Sequence, residues 1–422
     1  MEKLTGKPTE EIHFREEDRS TGAKRDPDFD LIWAKVLSAR QAEFLMGASC
    51  GGDVQPEVLK AVGLVPDHAY SVLDVVQVDA DVSGCGALQL VLLRNPHGTT
   101  AWSGPWSKAS PEWAGSAQMR MILEPIEASH SGGSSGGVFF VAFADFCLYF
   151  YSLTVCKVRE DWVEARSRVL LPSTKPGQNL VGIRLRSLAP CAAEVVITQP
   201  GSRGLWTHET FLDPGCLVVK RSGAAGAMEI VSAARCTFRS SVQCEAVLQS
   251  HDDSGAEYLI IPYSTRALTA LSSQERHMVV AIHSATPVLV DEADLHISVF
   301  QRAMLGHVRR SGKNFATHLG CSFYMLKSPS GVVLVADHCG VVAISATLTI
   351  QQTNLLSSRD AMTISDTVPA GHGQILAMLS QGSEAAGFSY SLAFEGGVAL
   401  PFGGAKHTPA VLDNSIHSPF RN

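Results

Sequence analysis

His68 and Asn95 are the residues whose types and order point most directly to chemistry. An imidazole can take the proton from a neighbouring thiol, and the thiolate, unlike the thiol, is a strong nucleophile. A side-chain amide bonded to the far ring nitrogen then fixes the tautomer that the base must carry. Where the two act together with a thiol, one recurrent chain order is cysteine, histidine, asparagine. Here His68 and Asn95 stand 27 positions apart, inside Asp67-His68-Ala69-Tyr70-Ser71 and Arg94-Asn95-Pro96-His97-Gly98. On spacing alone the pair is weak, so its surroundings decide how it is read.

Those surroundings are strands. Ala69 to Val78 and Ala87 to Arg94 are β-branched or apolar runs, which puts His68 at the start of one strand and Asn95 at the end of another. Upstream, Phe29, Ile32, Trp33, Val36 and Leu37 recur at helical spacing, so residues 28–42 read as an amphipathic helix. The nearly continuous apolar stretch Val138–Val155 carries Asp145 near its middle. A charge at mid-bilayer is costly, and the stretch reads as strand, short helix, strand rather than a membrane span. Beyond about residue 160, short apolar segments alternate with turns, as in an antiparallel sandwich. They fall into two sets of similar size, so the expected division is 1–158, a sandwich over 159–290, a second over 291–402, and a disordered tail over 403–422. The expected class is α+β.

The flanking residues are more specific than the spacing. His68-Ala-Tyr-Ser, Arg94-Asn-Pro-His97-Gly98, Trp102-Ser-Gly-Pro-Trp106 and Ser110-Pro-Glu-Trp113 resemble the second catalytic subdomain of the calpains, cysteine peptidases of the papain-like clan. Leu4-Thr-Gly6 and Leu45-Met-Gly47 are similar to that subdomain's opening, and Gly137-Val-Phe-Phe-Val-Ala-Phe-Ala-Asp145-Phe146 to its closing segment. The resemblance covers residues 1–158. Further on, Tyr258-Leu-Ile-Ile-Pro-Tyr-Ser-Thr265 looks like a late strand of the calpain C2-like sandwich, in the manner of calpain-like proteins that lack EF-hands.

Carried over, the resemblance makes His68 the general base and Asn95 the orienting amide, with Trp102 and Trp106 as their aromatic neighbours. It implies intracellular proteolysis of protein substrates. Several positions depart from the family. His97 replaces the tryptophan of Asn-Pro-Trp. Ala101 and Lys108 occupy places that carry acidic calcium ligands in the family, and the second calcium loop is the uncharged Ser131–Gly137. Calcium takes six to eight oxygens, so no cofactor is expected in this subdomain. His97, His68 and Asp67 read as a loop histidine beside the base rather than a metal cluster. Asp252-Asp253 and Asp291-Glu-Ala-Asp294 read as solvated acidic loops.

The nucleophile is the largest departure. No cysteine stands in a Gly-x-Cys-Trp setting, and Cys50 and Cys85 read as incidental thiols. Two readings follow. The chain is a fragment or alternative product of a calpain-like peptidase, its cysteine-bearing half encoded upstream or supplied in trans, or it is a non-peptidase relative working as an interaction scaffold. An exposed apolar face is expected around His68, Asn95 and Trp102, where the other half would pack; a polar surface there would mark a remodelled non-enzyme. Composition adds exclusions. A net charge of −7 from 34 basic and 41 acidic residues, with no basic run, disfavours nucleic acid and lipid headgroups as partners. The first residues lack an export pattern, and ten cysteines without CxxC pairs suit reduced thiols, so the expected location is cytoplasmic.

Overall fold

The structure is a computed structural model, and it describes residues 1–17, 24–25, 28–83, 87–98, 102–114, 117–131, 137–171, 180–200, 212–222, 227–269, 276–383, 386–399 and 415–421. It divides into two compact units, Met1–Glu160 and Asp161–Asn422. Cys85, Ala101, most of the Ser131–Gly137 loop and residues 403–414 of the expected tail lie outside the described residues.

The first unit is built on one six-stranded antiparallel sheet. Its strands are β1 (Thr9–His13), β2 (Leu45–Cys50), β3 (His68–Val78), β4 (Leu88–Arg94), β5 (Val138–Ala142) and β6 (Phe150–Cys156), in the order β1-β6-β2-β3-β4-β5. Helix α1 (Phe29–Gln41) starts at Asp28, whose carboxylate accepts from Leu31 N, and buries Ile32, Trp33 and Val36 on one face of the sheet. Helix α2 (Ala117–Ser131) covers the other face, with Met119 and Leu123 in a second core. The apolar stretch resolves as β5, the short helix α3 (Phe143–Tyr149), and β6. Among the described residues no helix is long and apolar enough to cross a membrane.

The two helices are tied to β3 at one point. A register shift between Val72 and Asp74 turns the Asp74 carboxylate to the helices, where Arg40 of α1 donates to both oxygens and His130 of α2 lies 3.5 Å away. The shift and this clamp set how β3, and therefore His68 at its start, sits between the layers.

The second unit holds two sandwiches. In the first, β7 (Val163–Leu171), β8 (Leu180–Ser187), β9 (Cys191–Thr198), β10 (Pro214–Ser222), β11 (Ala227–Ala234), β12 (Ser241–Leu248), β13 (Glu257–Ser264), β14 (Arg276–Ser284) and β15 (Val288–Leu295) form sheets of order β11-β10-β13-β8-β15 and β12-β9-β14-β7. The expected boundary at residue 290 falls inside β15. That strand pairs with β8 from Leu180↔Leu295 to Ser187↔Val288, so the first sandwich closes at Leu295. Asp291–Asp294 is therefore strand and not an acidic loop, with Asp291 bound to Arg186 at 2.9 Å.

The chain then enters helix α4 (Ile297–Ser311), in a region whose short apolar segments were all read as sandwich strands. The residues Phe300, Met304, His307 and Val308 lie on one buried face at helical spacing. The second sandwich follows: β16 (Lys313–His318), β17 (Cys321–Ser328), β18 (Gly331–His338), β19 (Ile344–Thr353), β20 (Leu355–Ser357), β21 (Thr363–Val368), β22 (His372–Gln381), β23 (Ser389–Val398) and β24 (Phe420–Arg421). One sheet runs β16-β17-β18-β22-β20, with β24 also on β22, and the other β21-β19-β23.

Each sandwich has its own interior core. A third core joins them, because α4 lies between Leu217, Leu259 and Ile261 of one sheet and Val333, Val335 and Ile375 of the other. Asp213 reinforces this junction. Its buried carboxylate accepts from Ser264, Thr265 and Arg266 N, and from Ser330 Oγ of the second sandwich at 2.9 Å. Burial pushes the Asp213 carboxyl up, and those donors oppose the shift. The expected disordered tail is ordered over 415–421. Ile416 and Phe420 are buried in the third core, and Gln301 of α4 donates to the carbonyls of Ser415, Ile416 and Ser418.

Candidate active site

His68 opens β3, an interior strand, so the site lies at the end of the sheet rather than along its edge. The chain enters through Asp67, whose φ of 51° is left-handed, and Tyr70 fixes that approach by accepting from Val65 N through its hydroxyl at 2.9 Å. Tyr70 is buried between Phe139 and Phe150, and its ring meets the His68 ring edge-on with centroids 5.3 Å apart. His68 is half-buried, and its Nε2 has no hydrogen-bond partner.

Asn95 follows β4, at the same end of the sheet. It is buried, and its N–H donates to Gly137 O at 2.8 Å. Its side-chain Oδ1 accepts from His97 N at 3.0 Å, and its carbonyl accepts from Gly98 N, which makes residues 95–98 a tight turn. Gly137 is required beside this turn. It sits at φ +83°, and a Cβ there would meet Asn95 O at 2.8 Å. The ring nitrogen that an orienting amide would hold is therefore unbonded, while the amide oxygen serves the turn.

The neighbour that does meet His68 is His97. The pairing Ser71↔Arg94 carries, three residues further on each strand, to His68 opposite His97. The two rings stack with centroids 4.5 Å apart and planes 21° from parallel. His97 is otherwise exposed. On the other side of β3, Cys50 of β2 stands opposite His68 in register. Its thiol is buried and donates to Tyr149 O at 3.7 Å. Burial first, and Asp67 second, push the Cys50 thiol up to about 12, the opposite of what a nucleophile requires. Neither cross-strand contact was legible beforehand, since register depends on turn lengths and the shift at Asp74.

Trp102 and Trp106 are not surface groups at the site, contrary to the expected bare apolar face. Trp102 is buried in the core under α1, donates to Pro105 O at 2.6 Å, and packs edge-on to Tyr149. Trp106 lies in the core under α2, edge-on to Trp113, at φ +65°. The two tryptophans thus anchor one loop to both faces of the sheet. The exposed residues around His68 are Asp67, Ala69, Pro96 and His97. Lys108, at a place where the family carries an acidic ligand, pairs with Glu127 at 3.2 Å.

Two segments of the chain match known protein families. Residues 1–157 match the family described as calpain family cysteine protease, and residues 307–399 match the one described as calpain-D-like, C-terminal domain. The chain is 35% identical over 158 residues to the calpain-type cysteine protease DEK1 of Arabidopsis thaliana, covering 37% of this chain and 6% of that protein. It is 30% identical over 166 residues to calpain-9 of Mus musculus, covering 39% and 21%, and 32% identical over 182 residues to calpain-5 of Mus musculus, covering 39% and 27%. The chain thus spans between about a twentieth and about a quarter of the length of these relatives.

Proposed function

We propose that this chain, which belongs to the calpain family, supplies the histidine-and-asparagine half of a calpain-type cysteine peptidase site acting on protein substrates. His68 is the general base and Asn95 its orienting amide. The observation that carries the reading is His68 itself, set at the end of a central strand with Nε2 unbonded, within residues that match a cysteine protease family. Catalytic hydrogen bonds often tighten only in the assembled, substrate-bound site, so an Asn95 amide rotated from the turn to His68 completes the pair. Cys50 is held far from thiolate, so this reading takes its nucleophile from a cysteine-bearing subdomain and not from Cys50. The nine described cysteines are free thiols, which suits a reducing, cytoplasmic setting.

The test is reconstitution. The purified chain alone should cleave no casein or fluorogenic peptide, with or without calcium. Addition of the separately expressed cysteine-bearing subdomain of a similar calpain should restore cleavage. Cleavage by the chain alone, lost on mutating Cys50 or Cys85, would overturn the division of labour.

A second reading, an interaction scaffold without peptidase activity, is favoured by one observation. The Asn95 side-chain oxygen serves its own turn and both tryptophans are drawn into the cores, so neither tryptophan is left bare for a missing half. Failure of reconstitution with a folded partner would select it.

A further inference from the structure

Residues 415–421 join the second unit as a separate segment, and the groove between α4 and β22 holds them chiefly by their backbone. Gln301 of α4, 2% exposed, donates from Nε2 to the carbonyls of Ser415, Ile416 and Ser418 at 3.3, 3.0 and 2.8 Å. Gln374 of β22, 1% exposed, donates from Nε2 to His417 O at 2.9 Å. Phe420 and Arg421 then pair antiparallel with Gly373 and His372 of β22. Of the segment's side chains, Ile416 and Phe420 are buried. Main-chain bonds of this kind are open to any extended chain, and the side-chain pockets select among sequences, which is how sheet edges bind peptides.

The segment does not complete the groove. A cavity of about 340 Å³ stays open beside it, lined by Ile297, Gln301 and Arg302 on one side and by Ser418, Pro419 and Phe420 on the other. Among the described residues nothing donates to Gln374 Oε1, a buried acceptor in the same amide that holds His417 O. A buried acceptor without a donor costs stability, and an unfilled cavity forgoes contacts. Residues 415–421 are therefore not the ligand that this groove fits best. From these features we infer that the groove is a peptide-binding site, and that 415–421 is an occupant in cis that a partner protein's segment replaces.

The groove states the chemistry of that partner. Its segment is extended, so that Gln301, Gln374 and the edge of β22 reach its main chain. It carries an aliphatic residue for the place of Ile416 and an aromatic one for the place of Phe420, four positions on. Between them, at the place of Ser418, it carries a carboxylate, because the open cavity there meets Arg302 and the amino end of α4.

The experiment uses the full chain and a fluorescent synthetic peptide of residues 415–422, with a second peptide bearing Ser418→Asp. A tethered occupant competes at an effective concentration of order mM, so the parent should bind the first peptide about a hundredfold more weakly than a chain bearing Ile416→Ser and Phe420→Ser. The Ser418→Asp peptide should bind that variant about fivefold tighter, a gain that high salt removes. Should the variant prove less stable, saturating peptide should raise its thermal midpoint, since a ligand of the folded groove stabilises it. In the parent, the amides of 416–421 should exchange with deuterium at least about a hundred times faster than those of Ile375–Leu379 in β22, because the segment opens on its own. A variant with neither saturable binding nor a raised midpoint would overturn the inference. So would equal exchange of the segment and β22, which would make 415–421 a fixed part of the core. No gain from Ser418→Asp would rule out the acidic partner, and a parent dimer that the peptide dissolves would assign the groove to a second copy instead.

Discussion

The imidazole of His68 has three neighbours with different consequences: His97 on its face, Tyr70 at its edge, and Cys50 across the strand. Types and order of His68 and Asn95 were readable from sequence because the flanking motifs are specific. The stack with His97 and the commitment of Asn95 Oδ1 to its turn were not, since both depend on strand register and on a turn closed by Gly137. The thiols give the sharpest check at this scale. Reaction rate follows thiolate fraction and access, so the exposed Cys339 should react promptly with a thiol reagent under native conditions. Cys50, buried and pushed up to about 12, should react orders of magnitude more slowly and only through opening of the sheet. Peptide mapping of the labelled chain at increasing times measures both; prompt labelling of Cys50 would show that its burial is wrong.

Among the elements, periodicity marked the helix over residues 28–42 but neither of the two longer helices, α2 and α4. The strand-helix-strand over Val138–Val155 was readable from an apolar run broken by Asp145. The short run His296–Phe300 looks like a strand in isolation, and only the longer window to Ser311 shows the helical recurrence of Phe300, Met304 and Val308. The tail after residue 402 is Gly- and Pro-rich, which hides the anchoring of Ile416 and Phe420 by contacts distant in sequence. One glycine tests the loop that holds Asn95. Gly137→Ala puts a side chain at φ +83° and within 2.8 Å of Asn95 O. It should destabilise the first unit by about 1–3 kcal/mol, read as a lower denaturant midpoint with unchanged slope. A neutral effect would mean that the turn is not held as described. The paired strand β15 should likewise resist proteases over 288–295, where an exposed linker would be nicked.

At the scale of the whole chain, the two sandwiches share a core around α4, so residues 161–421 should unfold in one cooperative step rather than two. Acid should weaken this unit by a defined route. Burial, with the nearby Arg235 and Arg310, pushes His307 down to about 4, and burial with Arg359 does the same to His417. The unfolded chain takes up these protons near pH 6.5, whereas the folded unit takes them up only near 4. Stability is therefore full above about pH 6.5 and falls as pH drops towards 4, by up to about 3 kcal/mol for each histidine. Urea midpoints across that range measure the slope, and His307→Gln should flatten it; a flat profile in the parent would contradict the burial. The account's central claim is that His68 is a general base awaiting a thiol. Its most direct measurement is kcat/KM for peptide cleavage by the chain mixed with a cysteine-bearing calpain subdomain, compared with the His68→Ala chain in the same mixture. Cleavage should fall by about a thousandfold or more in the variant, whereas equal rates for the two chains would rule out His68 as the base.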